Sequence, residues 1–186
     1  MNPPDLERAA KAIEEFLSAL GHPPANDPEL RETGERVAEA FHNDLLGGYR
    51  MDPVKILSET CASTSDGPVV LTGIRTTAMC PHHLLPAEGV VHVGYLPGPK
   101  LVGLGAIGRL VQCYARRLVL QEDLAKQVTE ALMTHLEARA AACVVDLSPM
   151  CMIARGGRQH GARAIASSFA GPAQDELRPI FLSQIP

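Results

Sequence analysis

A chain of 186 residues, 46% of them hydrophobic, suits one domain with its own core and excludes a disordered polymer. A formal charge of −4 with scattered Lys and Arg leaves no duplex-binding face, and 4% aromatics without Trp exclude a stacking platform for single-stranded nucleic acid. Five cysteines do not read as a disulfide framework; with no leader-like start and no membrane-length apolar run, they predict a cytoplasmic chain with no membrane partner.

Pro3-Pro4-Asp5 opens a first helix, with Leu6, Ala9, Ala10, Ile13, Phe16, Leu17 and Leu20 recurring at helical spacing up to Gly21. A single apolar stripe followed by a Pro-rich loop suggests an arm, residues 1–50, that packs on something else. Asp27-Pro28 is expected to start a second helix from Pro28 to Leu46, ended by Gly47-Gly48, with Gly34 as a weak point costing about 1 kcal/mol against Ala. Residues 51–186 are expected to form the main domain. In it Val54 to Leu57 is a short apolar piece, and the polar cluster Ser58 to Gly67 reads as a loop.

From Pro68 the pattern turns to strands. Val69 to Thr77 and Gly89 to Leu96 are β-rich and predict an antiparallel pair with the Cys80 loop at one end. Helices are expected over Leu104 to Leu118, with Ile107, Leu110, Val111 and Tyr114 facing inward, and over Gln121 to Ala138. Glu122 in the first turn of the latter is accounted for equally by the helix dipole and by function. Cys143 to Leu147 and Met150 to Ala154 read as strands around a kink at Pro149, and Ala162 to Phe169 as another. Glu176 to Ser183, interrupted by Pro179, predicts at most a short terminal helix.

The stretch Met79-Cys80-Pro81-His82-His83-Leu84 places a thiol and two imidazoles within four residues. Zinc takes three or four N/S ligands, and a catalytic site keeps one position open. Cys80 and His83 can reach one ion from a tight turn. Cys151, after the apolar run Ala141 to Leu147, is the best third ligand, which leaves His82 free for proton transfer.

Several pieces in one order resemble type I GTP cyclohydrolase, the zinc enzyme that opens the imidazole ring of GTP and recloses it as a pterin. They are Cys80-x-His82-His83-Leu84, Gly94-Tyr95-Leu96-Pro97, Leu101-x-Gly103-Leu104, Arg109-Leu110-Val111, Arg116-Arg117-Leu118, Val119-x-Gln121-Glu122 and Cys151-Met152-x-x-Arg155-Gly156. The resemblance implies an α+β tunnelling fold, with two antiparallel hairpins and a helical pair per subunit, whose subunits close into a β-barrel as a homodecamer with sites at subunit boundaries. It implies Cys80, His83 and Cys151 as zinc ligands and His82 as the acid/base group. It further implies Gln121 and Glu122 at the guanine edge, and Arg109 and Arg155 on the phosphates of a purine nucleotide.

The chain also departs from the family pattern. Pro149 stands where the family has a proton-transferring His, and Gly105-Ala106 stand where it has Ser-Lys against the nucleotide. Pro81 replaces a polar residue, and Ala164-Ile165-Ala166-Ser167-Ser168 a richer Ser/Thr stretch. His160, outside the pattern, is a second candidate proton donor, though a His beside Gly161 is more often a solvated loop residue. Three readings follow: a GTP cyclohydrolase, full or modified; a zinc hydrolase for a less phosphorylated purine or a pterin; and a catalytically silent binding or regulatory relative.

Overall fold

The computed structural model describes residues 3–64 and 66–186. Met1 and Asn2, at the start of the expected arm, and Ser65, in the expected polar loop, lie outside the described residues. The helices are α1 (Leu6–Ala19), α2 (Thr33–Ala40), α3 (Pro53–Ile56), α4 (Leu104–Ala115), α5 (Gln121–Leu136), α6 (Met150–Ile153) and α7 (Gln174–Gln184). The strands are β1 (Thr60–Ala62), β2 (Val69–Met79), β3 (Pro86–Leu96), β4 (Lys100–Val102), β5 (Ala140–Pro149) and β6 (Ala164–Ala170). The chain divides into two units, Met1–Gly47 and Gly48–Pro186. Among the described residues no helix is long and apolar enough to cross a membrane.

In the first unit Asp5 caps α1 by accepting from the Arg8 amide at 2.9 Å. The expected second helix is broken into a 3-10 turn over Pro28–Leu30, α2, and a π-helical turn over Phe41–Leu45. Two causes are local. Asp27 accepts from the Glu29 amide at 2.9 Å, closing a short turn of its own, and Glu32 sits outside helical geometry at φ −111°, ψ 13°. Gly34 is not the weak point that its propensity suggests. A Cβ there would lie 2.6 Å from the Ala10 carbonyl oxygen, so glycine is what lets α2 approach α1 closely.

The second unit is built on a four-stranded antiparallel sheet in the order β2-β3-β5-β6. It carries the expected pair of hairpins, with α4 and α5 between them in the chain, so the α+β arrangement that the resemblance implies is present. Alternation sends Val91, Val93 and Tyr95 of β3 and Ala141, Cys143 and Val145 of β5 to one face. There they meet Ile107, Leu110 and Val111 of α4 and Leu124, Val128 and Leu132 of α5, all fully buried. Burying each large aliphatic side chain contributes roughly 1.5–3 kcal/mol, so this face dominates the stability of the unit. Burial also pushes the Cys143 thiol far above its ordinary range.

On the other face Leu96, Ala140, Ala142 and Val144 take Leu177 and Phe181 of α7. Pro179 does not interrupt that helix; Leu177 and Phe181, each fully buried, anchor its middle turns to the sheet on either side of the missing N–H. A bulge between Leu71 and Ile74 holds Gly73 at φ +70°, and its amide donates to His92 Nδ1 at 3.4 Å. Burial lowers the pKa of His92, against the opposing pull of Asp146.

Three further expectations are corrected. Part of the polar cluster Ser58 to Gly67 is strand, because Thr60–Ala62 pairs with Lys100–Val102 in a small second sheet. The strand β3 begins at Pro86 rather than Gly89, since Met79↔Pro86 and Ala87↔Pro149 extend both ladders. Met150 to Ala154 is not a strand but the single helical turn α6, closed by the Ala154 amide donating to the Met150 carbonyl at 2.8 Å. Pro149 ends the ladder there, having no N–H to continue it.

Backbone proximity at two glycines gives opposite expectations. A Cβ at Gly89 would lie 2.2 Å from the Asp146 carbonyl oxygen, whereas Gly108, inside α4, has nothing within 4 Å. Thermal melts should show Gly89→Ala losing at least ~2 kcal/mol and Gly108→Ala gaining about 0.5–1 kcal/mol.

Candidate metal centre and adjoining pocket

The turn after β2 is closed by two backbone bonds, Leu84 N–H to Cys80 C=O and Cys80 N–H to Leu85 C=O, both 3.0 Å. Leu84 pays for this closure with a left-handed backbone, φ +53°, which is disfavoured for a side chain with a Cβ by about 1–2 kcal/mol. The tight turn orients its two histidines differently. Their ring centroids are 6.3 Å apart and their planes cross at 80°.

His83 turns towards the cysteines. Its Nδ1 lies 3.8 Å from Cys80 Sγ, and the ligand atoms of Cys80, His83 and Cys151 all lie within 4.8 Å of one another. A tetrahedral zinc ion with bonds of about 2.1–2.3 Å separates its ligand atoms by roughly 3.6–3.8 Å. Small rotations of these side chains meet that requirement, and the Cys₂His donor set is one that zinc favours, so the residues fit the ion. Cys151 reaches the group from α6, immediately beyond the end of β5. Burial first, and then the neighbouring Cys80, push its thiol pKa up, while Arg155 pulls it down. A cation bound among the three would reverse that balance and favour thiolate.

His82 turns instead into a pocket. Its lining includes Cys80, His82, Gln121, Glu122, Pro149 and Cys151, with Ala78, Pro86, Ala87, Val119, Leu120, Met152 and Ala164 as apolar wall. The start of α5 is brought there by one anchor: Leu118 pairs with Met79 in an isolated parallel bridge, and the Val119 amide donates to the Met79 carbonyl at 3.2 Å. Gln121 and Glu122 therefore stand beside Cys80 although some forty residues separate them in the chain. Glu122 is exposed at the positive end of the α5 dipole.

The remaining expected residues lie apart from the pocket lining. Arg155 contacts the metal group itself, with Nη1 2.9 Å from His83 Nε2. Arg109, on α4, is exposed and does not line the pocket; its Nη1 lies 3.5 Å from where a Cβ on Gly105 would be. Ala106, standing where the family has Lys, is 4% exposed within the core rather than in the pocket. His160 is exposed in the loop after α6 and is not part of the lining. Sequence reasoning missed the apolar wall. Only the doubled proline pattern, Pro86 and Pro149 beside the candidate ligands, could have signalled it.

Taken over its length, the chain is similar to known proteins. The profile of the family described as GTP cyclohydrolase I matches residues 9–185. The chain is 40% identical over 173 residues to GTP cyclohydrolase 1 of Streptomyces griseus, covering 92% of this chain and 85% of that protein. It is 39% identical to the Streptomyces coelicolor protein of the same name, with the same coverage. Against GTP cyclohydrolase 1 of Chromobacterium violaceum it is 35% identical over 188 residues, covering 100% of this chain and 90% of the relative. With the profile spanning nearly the whole chain and relatives at this level of identity, the chain belongs to the GTP cyclohydrolase I family.

Proposed function

We propose that this chain is a zinc-dependent cyclohydrolase that opens the imidazole ring of a guanine compound, releasing formate and forming a pterin. The observation that carries the reading is the Cys80, His83 and Cys151 group beside a pocket lined by His82, Gln121 and Glu122. Cys80, His83 and Cys151 would hold the ion, and zinc supplies Lewis-acid activation of water for addition at C8 of the base. His82, outside the ligand group and facing the pocket, carries protons to and from the ring nitrogen and ribose oxygen. The Glu122 carboxylate accepts from guanine N1–H and the exocyclic amine, with Gln121 at the same edge. Arg155 and Arg109 supply forked cations for phosphate oxygens. In this reading residues 51–186 form the catalytic domain and 1–50 a helical arm.

The apolar wall favours a particular variant of that activity. Pro149 is buried in the pocket wall and can neither give nor take a proton. Gly105 has no side chain, and Ala106 packs into the core. One charge-assisted contact is worth roughly 1.5–3 kcal/mol, and one general acid about 10²–10⁴ in rate. Together these losses make GTP a poor substrate and favour a guanine compound with fewer phosphates, or another purine-like heterocycle.

We also propose a homo-oligomer, a decamer by family resemblance. Both β2 and β6 are sheet edges in one chain, and Ile165 on β6 is 68% exposed, an arrangement that pairing with further copies relieves. Light scattering at micromolar concentration is expected to give a multimer; a monomer would remove this assignment.

Metal analysis of purified protein should return one zinc per chain, and nearly none for Cys151→Ala, because three protein ligands leave no redundancy. Full zinc in that variant refutes the ligand set. Incubation with GTP, GMP, guanosine and guanine, read as formate and oxidised pterin fluorescence, should show GTP turned over slowly. Pro149→His with Ala106→Lys should raise GTP turnover, and Glu122→Ala should erase preference for guanine over adenine compounds. Efficient GTP conversion by the unmodified protein would return the reading to the ordinary enzyme, and no product from any compound would favour the silent relative.

A further inference from the structure

The piece Arg116-Arg117-Leu118 lies where α4 has ended at Ala115 and α5 has yet to begin at Gln121. The residue that opens α5, Leu120, offers its first turn no side-chain acceptor. A helix end without a capping side chain is prone to fray, and this one carries Gln121 and Glu122 into the pocket. Its order therefore depends on how residues 116–120 are held. One side of that connector is fastened to β2 by the Met79–Leu118 bridge and the Val119 amide. The other side rests on residues 48–51, and there the fastening runs chiefly through the half-buried side chain of Arg117.

Arg117 Nε donates to the Cys113 carbonyl at 2.7 Å and to the Gly48 carbonyl at 3.2 Å. Its Nη2 reaches Cys113 Sγ at 3.1 Å and the Met51 carbonyl at 3.5 Å. The guanidinium carbon stands 5.0 Å from the centre of the Tyr114 ring and 5.6 Å from that of Tyr49, within cation–π reach of both. Tyr49 in turn accepts from the Leu118 amide through its hydroxyl at 3.4 Å, and the Gly48 amide donates to the Arg116 carbonyl at 2.9 Å. The approach is close enough to need glycine, since a Cβ on Gly48 would lie 2.4 Å from the Cys113 carbonyl oxygen. One guanidinium thus ties the last turn of α4, residues 48–51 and, through Tyr49, the connector into a single joint.

We propose that Arg117 is a positioning residue for the base edge of the pocket: by locking the connector between α4 and α5 it fixes where Gln121 and Glu122 stand relative to Cys80 and His82. Arg117 itself is not part of the pocket lining. The proposal rests on the guanine-edge role proposed for Glu122 and adds the residue that holds that edge in place. The metal group does not depend on this joint in the same way, because the turns that carry Cys80, His83 and Cys151 leave the β2, β3 and β5 ladders. Loosening the connector therefore separates base recognition from metal binding, two properties that a general loss of folding would lower together.

Arg117→Met keeps a long apolar stem and removes the donors and the charge. Its zinc content is expected to match that of the wild type. KM for the guanine compound that the wild type turns over best should rise about threefold to tenfold, kcat should stay within about twofold, and preference for guanine over adenine compounds should fall by a factor similar to the rise in KM. A residue that only stabilises the fold would lower the melting temperature and leave KM and base preference of the folded protein unchanged. Amide hydrogen exchange reads the joint without any substrate: residues 118–122 should exchange faster in Arg117→Met while the amides of β3 do not. Tyr49→Phe removes only the hydroxyl that the Leu118 amide meets, and should shift KM and exchange in the same direction by a smaller factor; it carries the test if Arg117→Met does not fold. Unchanged KM and base preference, unchanged exchange, or lost zinc in the folded variant overturns the inference and leaves the cyclohydrolase reading intact. A wild type that turns over no guanine compound, or a Glu122→Ala protein that keeps its base preference, overturns the underlying reading and this inference with it.

Discussion

The register of β3 is the constraint on which the rest of the second unit depends. β3 is paired along its whole length, to β2 on one side and β5 on the other, with Met79↔Pro86 and Ala87↔Pro149 at the same end. That end is where Cys80 leaves β2 and where the chain turns into α6 to present Cys151. A slip of one residue would send Val91, Val93 and Tyr95 to the opposite face and expose the side that α4 and α5 cover. The core and the candidate ligand group are therefore specified by one set of pairings. The bridge from Met79 to Leu118 adds the start of α5 to that same end, so three separate parts of the sequence converge through backbone bonds before any side chain chooses a ligand.

Around this convergence the pocket is lined by polar and apolar groups together. Its lining combines sulfur, imidazole, amide and carboxylate with alanine, valine, leucine, methionine and proline. Apolar lining lowers the local dielectric and strengthens polar contacts made within the pocket. The arginines are set apart from the lining, Arg155 on the ring of His83 and Arg109 outside it.

Much of this arrangement was legible in the sequence where the signal is local and periodic. The apolar spacing in α4 and α5, the alternation in β2 and β3, and the order of the motif pieces all point to the observed elements, and Cys80, His83 and Cys151 do come together. The errors arose where a longer-range contact overrides a local preference. Gly34 reads as a flaw until Ala10 is seen beside it; Thr60 to Ala62 is polar and short, and is strand only because Lys100 to Val102 lies next to it. Met150 to Ala154 has strand-like residues, but Pro149 breaks the ladder and the chain coils. Pro179 looks like a helix breaker because the anchoring of Leu177 and Phe181 in the core is not visible in one dimension. The separation of Arg109 from the pocket likewise depends on where a side chain leans, which no spacing rule gives.

Pro149 has a consequence beyond the pocket that it lines. Its ring fixes φ, here −81°, at the joint between β5 and the turn that carries the Cys151 sulfur. Ordering one residue costs about 1–2 kcal/mol of backbone entropy, and a proline has fewer conformations to lose. The turn that carries the Cys151 sulfur therefore leaves the strand from a stiff joint. One ring thus does two things: it ends the β3–β5 ladder and it stiffens the joint from which the Cys151 turn departs.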